Sequence, residues 1–263
     1  MVKIGLIGVG NMAKAIIKGL KKTGVFFIGG FDITRDFNNT CKILKIKQYK
    51  SNVELIKNSD VVFLSVKPQQ VNDVLREIKD TLKNQMVISI AAGVPIVKIQ
   101  KLLSRKTPVV RIMPNTPVLV GEGACGYAFS KEVKAVQKKT AQKIIKSFCE
   151  ICFQVKEKDI DTITSLSGSG PAYFFYIAEA MIEAAGQIGF DRKKAKMLVA
   201  QTLKGAGKLL IEAGEEPAML RQKVTSKGGT TEAAINVFEK NKLKDIVKKA
   251  VLTAYKRAKE LGK

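Results

Sequence analysis

The sequence contains no histidine and no tryptophan, and it has only four cysteines among its 263 residues. Without histidine, every metal site and every acid–base mechanism that needs an imidazole is excluded. Cys149 and Cys152 have the spacing of a redox or metal-binding pair, but no second cysteine pair completes a zinc site. We therefore expect no metal, and we interpret all four cysteines as buried thiols: Cys41, Cys125, Cys149 and Cys152.

Long apolar runs are also missing. The longest, such as residues 61–66, have the length of a buried strand and fall short of the roughly 18 residues that would span a bilayer. The first apolar stretch leads into Gly8, Gly10, Asn11 and Lys14 without the cleavage pattern of a signal peptide. We expect a cytoplasmic protein that keeps its first residues and has no membrane partner.

Acidic residues are scarce: 23 Asp and Glu stand against 46 Lys and Arg, for a formal net charge of +23. Such an excess is compatible with nucleic acid, an acidic membrane surface or anionic small molecules as partners. The basic residues occur singly or in pairs, without an Arg-rich tract or interleaved aromatic residues. We interpret them as a solvated surface and expect no nucleic-acid partner. A nucleic-acid-binding protein remains the alternative, and it predicts an affinity that falls steeply with salt.

Strand-like and helix-like segments alternate through the first 155 residues. Short apolar runs predict strands covered on both faces at residues 3–7, 26–31, 60–66, 86–90 and 109–113. Helical periodicity predicts helices at residues 12–22, 69–82, 94–103 and 131–149, with a short strand at 153–155. The alternation predicts an α/β domain over residues 1–157, built on a doubly wound, mainly parallel sheet.

Helical periodicity alone continues through residues 158–263 and predicts a second, all-α domain. Its first helix, at residues 171–188, is apolar on nearly all sides and must therefore be buried on all sides. Because a helical domain of this size has too little interior to bury it alone, we predict packing against a second subunit. Four glycines either allow close helix packing or mark helix ends: Gly186, Gly189, Gly205 and Gly207.

A glycine-rich motif follows the first predicted strand and opens the first predicted helix: Gly8, Val9, Gly10, Asn11, Met12 and Ala13. Gly8 would make a tight turn, and Gly10 would let the backbone approach a pyrophosphate at the helix N-terminus. This context favours dinucleotide binding over a purely structural turn.

Asp32, at the end of the second strand, would bind the ribose hydroxyls of NADH, whereas Arg35 could instead bind the 2′-phosphate of NADPH. Asp32 is the better placed of the two, so the sequence favours NADH.

Three loops follow consecutive strands, where ligands bind in open parallel sheets. Their small residues and prolines suit a wall for a nicotinamide ring: Ser65-Val66-Lys67-Pro68, Ala91-Ala92-Gly93 and Met113-Pro114-Asn115-Thr116-Pro117.

In the second domain, two glycines and several hydroxyl residues precede a helix that begins near Thr231. That cluster, from Thr225 to Thr231, predicts a nest of N–H groups for a small carboxylate. An ordinary N-capped helix start would explain only Thr230 or Thr231. A companion motif, Ser167-Gly168-Ser169-Gly170-Pro171, opens the apolar helix.

Through these motifs, and above all through residues 226–231, the chain resembles the pyrroline-5-carboxylate reductase family over essentially its whole length. The resemblance implies a Rossmann domain followed by a helical domain that interlocks with its twofold mate in a homodimer, and dimers in the family commonly form decamers. It implies cofactor binding by Ile7, Gly8, Val9, Gly10, Asn11, Met12, Ala13, Asn52, Ser65, Val66, Lys67, Pro68, Ala91, Ala92 and Gly93. It implies substrate binding by Ser226, Gly228, Gly229, Thr230 and Thr231.

Two positions depart from the family pattern. Lys227 stands where the family usually has proline, which could loosen the loop or add a cation beside the substrate carboxylate. Asp32 stands where members that use NADPH usually carry a small or hydroxyl residue. The cofactor is therefore NADPH by family default, or NADH if Asp32 decides.

The implied reaction suits a chain without histidine. Hydride transfer to the C=N carbon of 1-pyrroline-5-carboxylate gives L-proline, and a substrate that enters protonated needs no strong general acid. We assign no catalytic acid and interpret Ser226 and Thr231 as positioning groups. The nearest alternative is a dehydrogenase of the same build that reduces a 3-keto acid or a different cyclic imine. Hydroxyacid enzymes of this build need a catalytic lysine in the helical domain, and residues 167–173 offer none. A test with the six-membered ring analogue would separate the imine substrates.

Overall fold

The computed structural model describes residues 1–262 and divides them into two compact units. The first unit comprises residues 1–169 together with the end of the last helix, from residue 253 onward. The second unit comprises residues 170–252. Within the described residues, no helix is both long enough and apolar enough to cross a membrane.

The first unit is built on one eight-stranded sheet in the order β3-β2-β1-β4-β5-β6-β7-β8. All neighbouring strands are parallel except β6 and β7. The strands are β1 Val2–Ile7, β2 Phe26–Phe31, β3 Lys47–Gln48, β4 Val61–Leu64, β5 Met86–Ser89, β6 Val109–Pro114, β7 Ala124–Phe129 and β8 Ile151–Gln154.

Helices cover both faces of this sheet, and strand residues alternate between two cores. In β4, for example, Val61 and Phe63 belong to one core, while Val62 and Leu64 belong to the other. The first core receives α1 Asn11–Lys22, α2 Phe37–Leu44 and α6 Ala135–Lys146. The second receives α3 Asn52–Lys57, α4 Val71–Ile78, α5 Ile96–Leu102 and α7 Ile160–Ile163. The doubly wound, mainly parallel sheet expected from the sequence is confirmed.

A buried arginine joins the sheet to the segment that follows β8. Arg111 in β6 is buried; its guanidinium donates to Asp161 at 2.8 Å and lies 3.5 Å from Glu157. Glu157 also accepts a hydrogen bond from the Ile96 N–H at 2.6 Å, at the first turn of α5. Since an unpaired charge is costly inside a protein, these contacts fix residues 157–161 against β6 and α5.

The second unit contains helices only, as the sequence predicts. They are α8 Gly170–Gln187, α9 Arg192–Glu212, α10 Pro217–Lys223, α11 Thr230–Lys240 and α12 Leu243–Leu261, whose last residues belong to the first unit. In α8, Phe174 is 56% exposed, Phe175 64% and Tyr176 75%. The apolar helix predicted at residues 171–188 therefore exists, but in a single copy of the chain it is not covered.

Candidate functional sites

The candidate ligand-binding segments of the first unit lie at one edge of the sheet. Strands β2, β1, β4 and β5 are neighbours and run parallel, so their carboxyl ends meet there. The structure thus brings together the glycine-rich turn after β1, Asp32 after β2, and the loops that begin at Ser65 and Ala91. The sheet order also reverses at this edge, because β1 lies between β2 and β4, and such a reversal is where open α/β sheets bind ligands.

Gly8 allows the glycine-rich turn to pass close to the neighbouring strand end. Its φ is +83°, and its N–H donates to the Phe31 carbonyl at 2.9 Å. A Cβ on Gly8 would lie 2.9 Å from Val66 Cγ1 and 3.0 Å from the Ser65 carbonyl oxygen. Any larger residue would therefore separate β1 from the loop after β4.

The N-terminus of α1 is open to an anion. Gly10 is its N-cap residue, and a Cβ there would meet nothing within 4 Å. No side chain caps the helix, and its first turn carries no acidic residue. The free N–H groups and the positive end of the helix dipole can therefore act on a phosphate, as the sequence predicts.

Asp32 has a role that the sequence did not reveal. One carboxylate oxygen accepts the Val9 N–H at 2.6 Å, and the other accepts the Thr34 N–H at 2.8 Å. Asp32 therefore ties the glycine-rich turn to the segment after β2, besides any contact with a ribose. Arg35, the alternative determinant of cofactor choice, is exposed three residues further on.

Two buried polar atoms at this edge have no partner among residues 1–262: Asn52 Oδ1 and Ser65 Oγ. Asn52 begins α3, and its Nδ2 donates to Glu77 at 2.8 Å, so the side chain is fixed with its oxygen unpaired. Ser65 follows β4 directly. Because buried polar atoms are normally hydrogen-bonded, these two fit hydroxyl or amide groups of a bound cofactor.

In the loop after β6, Asn115 makes hydrogen bonds within the protein that the sequence does not predict. Asn115 was expected to line the nicotinamide wall, but its Oδ1 accepts the Ala124 N–H at 2.9 Å. Its Nδ2 donates to Ser167 Oγ at 3.1 Å. Ser167 lies in a π-helical turn, Thr164–Gly168, closed by the Ser169 N–H on the Thr164 carbonyl at 2.8 Å. Such turns often occur at functional sites, and no sequence signal predicted this one.

In the candidate carboxylate nest of the second unit, one N–H group already has a partner within the chain. Gly228 has a φ of +74°, and its N–H donates to Glu232 Oε2 at 2.7 Å. Gly229 is the N-cap residue of α11, which has no side-chain cap. This corrects the expectation that the N–H groups of the whole cluster are available, since Glu232 occupies one of them. A Glu at the third position of a helix typically reaches back to N–H groups before it, and this spacing could have revealed Glu232.

The hydroxyl residues around the nest remain accessible. Ser226 and Thr230 are exposed and Thr231 is half-buried, all next to the uncapped first turn of α11. Lys227 is exposed beside them, and whether it loosens the loop or adds a cation beside a carboxylate stays a prediction. These residues can receive a small carboxylate at the free N–H groups that follow Gly229.

The cysteines are free thiols: Cys41, Cys125 and Cys149 are buried, whereas Cys152, which was expected to be buried, is half-buried. The hydrogen bond with Cys149 and then burial raise the pKa of the Cys125 thiol far above its ordinary value. Burial also raises the pKa of Cys41 and of Cys152. In residues 1–262, no group of Cys, Asp or Glu side chains has an arrangement that could hold a metal ion.

Comparisons with known proteins cover the whole chain. Residues 157–261 match the family described as pyrroline-5-carboxylate reductase dimerisation, and residues 3–93 match the family described as NADP oxidoreductase, coenzyme F420-dependent. A pyrroline-5-carboxylate reductase of Pseudomonas aeruginosa is 39% identical over 99% of this chain and 97% of its own. One of Methanosarcina acetivorans is 40% identical over 99% of this chain and 98% of its own.

A solved structure is also similar to this chain. The crystal structure of a Plasmodium falciparum pyrroline carboxylate reductase with NADP bound superposes with a TM-score of 0.92 at 32% identity. The match covers 100% of this chain and 98% of that one.

The unpaired hydroxyl of Ser65 gives opposite expectations for stability and for binding. In Ser65→Ala, the free energy of unfolding should stay unchanged or rise by up to about 1–3 kcal/mol, because a buried hydroxyl without a partner in residues 1–262 is removed. The Kd for NADPH should rise about two- to tenfold, the value of one hydrogen bond. Chemical unfolding and NADPH fluorescence titration measure the two effects.

Ser59→Ala is the matched control. Ser59 is buried, and its hydroxyl donates to the Leu55 carbonyl at 2.7 Å. Its loss should lower the free energy of unfolding by about 1 kcal/mol and leave the Kd unchanged. A Ser65→Ala protein that is destabilised but binds NADPH normally would contradict the assignment of Ser65.

Proposed function

The chain belongs to the pyrroline-5-carboxylate reductase family, and we propose that it reduces 1-pyrroline-5-carboxylate to L-proline, the last step of proline biosynthesis. The observation that supports cofactor binding is made at the sheet edge where β1, β4 and β5 end. There, an uncapped helix N-terminus and two unpaired buried polar atoms, Asn52 Oδ1 and Ser65 Oγ, occur together. Phosphates suit the first and hydroxyl or amide groups suit the second, and a nicotinamide dinucleotide carries both.

The proposed cofactor-binding residues come from the family resemblance, apart from Asp32 and Arg35, which are inferred from this sequence. The turn of Ile7, Gly8, Val9, Gly10, Asn11, Met12 and Ala13 binds the pyrophosphate. Asn52 and Asp32 or Arg35 bind the adenosine side, and Ser65, Val66, Lys67, Pro68, Ala91, Ala92 and Gly93 line the remainder. When bound, NADPH or NADH supplies the hydride.

The substrate is held through its carboxylate by the start of α11. Gly228 gives the loop its left-handed turn, and the backbone after Gly229 donates N–H groups. The hydroxyls of Ser226, Thr230 and Thr231 contact the carboxylate or the ring nitrogen. No residue has to donate a proton if the imine enters protonated. Catalysis is then mainly orientation of the imine carbon against C4 of the nicotinamide, an effect worth up to about 7–11 kcal/mol in well-oriented systems.

The cofactor and the substrate are bound by different parts of the sequence. Residues 1–157 bind the cofactor, and residues 158–263 bind the substrate and a second subunit; the dimerisation match begins at residue 157 and supports this boundary. Thiols such as Cys125 and Cys149 are typical of a reducing compartment, which supports a cytoplasmic location.

A second copy of the chain covers the apolar surface of the second unit. Large apolar side chains at least 45% exposed lie along α8 and α9: Phe174, Phe175, Tyr176, Ile177, Met181, Met197, Leu198, Leu209, Leu210 and Ile211. An exposed patch of this kind marks a protein–protein interface. The match to a dimerisation family favours a homodimer, and assembly of dimers into a decamer is the further step that the family resemblance suggests.

Phe175→Glu should break this homodimer, because the change places a charge in an apolar interface. Light scattering coupled to size exclusion should then report the mass of one chain, against at least two for the unaltered protein. Ile43→Glu is the control: Ile43 is 71% exposed on α2 in the first unit, and its change should leave the mass unaltered. A Phe175→Glu protein that keeps the parent mass would contradict the interface.

Thr231→Ala should raise the KM for 1-pyrroline-5-carboxylate about two- to tenfold, since one hydrogen bond to the substrate is lost. The Kd for NADPH should not change, and Thr231→Ser should retain most of the affinity because the hydroxyl is kept. Steady-state kinetics with varied substrate, combined with cofactor titration, checks both statements. Unchanged kinetics in Thr231→Ala would remove this residue from the site.

Initial rates with NADH and NADPH, measured side by side, test both the reaction and the cofactor choice. If Asp32 repels the 2′-phosphate, the parent favours NADH, and Asp32→Asn shifts the ratio of kcat/KM values toward NADPH. If Arg35 binds the phosphate instead, the parent favours NADPH, and Arg35→Ala loses activity with that cofactor only. No turnover with either cofactor would overturn the proposed reaction.

A further inference from the structure

The end of α12 packs directly on the loop after β5. Within the first unit, a Cβ on Gly93 would lie 2.5 Å from Leu261 Cβ and 2.9 Å from the Leu261 carbonyl carbon. In the other direction, a Cβ on Gly262 would lie 2.5 Å from the Gly93 carbonyl oxygen. Two glycines therefore permit a backbone-to-backbone approach that no other pair of residues would allow without displacement. Gly93 also has a φ of +74°, which favours glycine at this position.

The same loop is held on its other side by the buried Arg111 cluster. Glu157, which lies 3.5 Å from Arg111, accepts the Ile96 N–H at 2.6 Å and so fixes the loop where it enters α5. The Ala91 N–H donates to Ser89 Oγ at 3.3 Å, at the end of β5. Residues 91–96 are therefore fixed at both ends, and the end of α12 supports them in the middle.

The last turns of α12 belong to the same compact unit as this cluster. Ala258 is buried, and Lys259 Nζ lies 4.5 Å from the centre of the Tyr255 ring. The hydrogen bond with Tyr255, and to a smaller extent the negative charge of Asp161, raise the pKa of Lys259 above its ordinary value. Asp161 is also the partner of Arg111.

We infer that Leu261 and Gly262 are positioning residues for the cofactor: they hold the Ala91–Gly93 loop in its cofactor-binding conformation without touching the cofactor themselves. The inference rests on the proposed function, which places Ala91, Ala92 and Gly93 at the dinucleotide. It also gives the last helix a role in cofactor affinity that is separate from its role in the helical unit. The expected effect falls on the cofactor, because the observed contact is made with the Ala91–Gly93 loop.

Titration of NADPH and NADH by their own fluorescence tests the inference on the full-length protein. A variant that lacks residues 261–263 should bind the preferred cofactor about three- to tenfold more weakly, a typical size for coupling between contacting residues. The KM for that cofactor should rise by the same factor, while kcat and the KM for 1-pyrroline-5-carboxylate stay within about twofold. Gly262→Ala, which would place a Cβ 2.5 Å from the Gly93 carbonyl oxygen, should move the same constants in the same direction. Lys256→Ala, at an exposed position of α12, is the matched control and should alter none of them.

Gly93→Ala provides a second, independent readout. In the parent, the added methyl group meets Leu261, whereas in the shortened chain only the cost of the left-handed backbone remains. The Kd ratio caused by Gly93→Ala should therefore be smaller in the shortened chain than in the parent. Equal ratios, or an unchanged Kd in folded Gly262→Ala and shortened variants, would overturn the inference.

Failure of the proposed function would give a different experimental result from failure of this inference. A parent protein that binds a nicotinamide cofactor but does not reduce 1-pyrroline-5-carboxylate contradicts the reductase proposal, while the binding ratios still decide the role of Leu261 and Gly262. A parent that binds neither cofactor overturns both.

Discussion

The parallel pairing of β1 with β2 on one side and with β4 on the other determines where every candidate ligand of the first unit can bind. Because β1 lies between them, the turns that leave β1, β2 and β4 all emerge at one edge, and the sheet order reverses there. At this edge Gly8 passes close to Ser65 and Val66. Val9, whose N–H donates to Asp32, follows Gly8 directly, and α1 begins three residues after Gly8.

The first unit keeps polar groups that folding alone does not satisfy. Asn52 is buried and fixed through Nδ2, yet its oxygen has no partner among residues 1–262. A buried acceptor of this kind lowers the stability of the free protein, and a cofactor that supplies the missing donor recovers that free energy on binding. Among residues 1–262, Arg111 Nε is a third buried atom without a partner, although two carboxylates lie around that guanidinium. Two of the three unpaired atoms thus lie at the candidate cofactor edge, as expected where a site gives up some stability for a ligand.

The sequence predicted the parts of the molecule that local patterns encode. The five apolar runs, the glycine-rich turn and the apolar helix α8 all had the expected element type and place. Strand β7, with Gly126 in the middle, was not predicted, because its conformation comes from pairing with β6 rather than from an apolar run. Helix α3 was also missed, although Ser51 and Glu54 form the recognisable start of a helix, with the Glu54 N–H donating to Ser51 Oγ at 3.1 Å. The second function of Asp32 and the contact of Gly93 with Leu261 join distant segments, so no local pattern could reveal them.

The buried thiols have a chemical consequence of their own. Oxidants and alkylating reagents attack the thiolate, and the raised pKa values of Cys41, Cys125 and Cys152 keep these side chains protonated at neutral pH. Burial adds a steric barrier at Cys41 and Cys125. Oxidants and thiol reagents should therefore react slowly with Cys41 and Cys125, whereas Cys152 is the more accessible thiol.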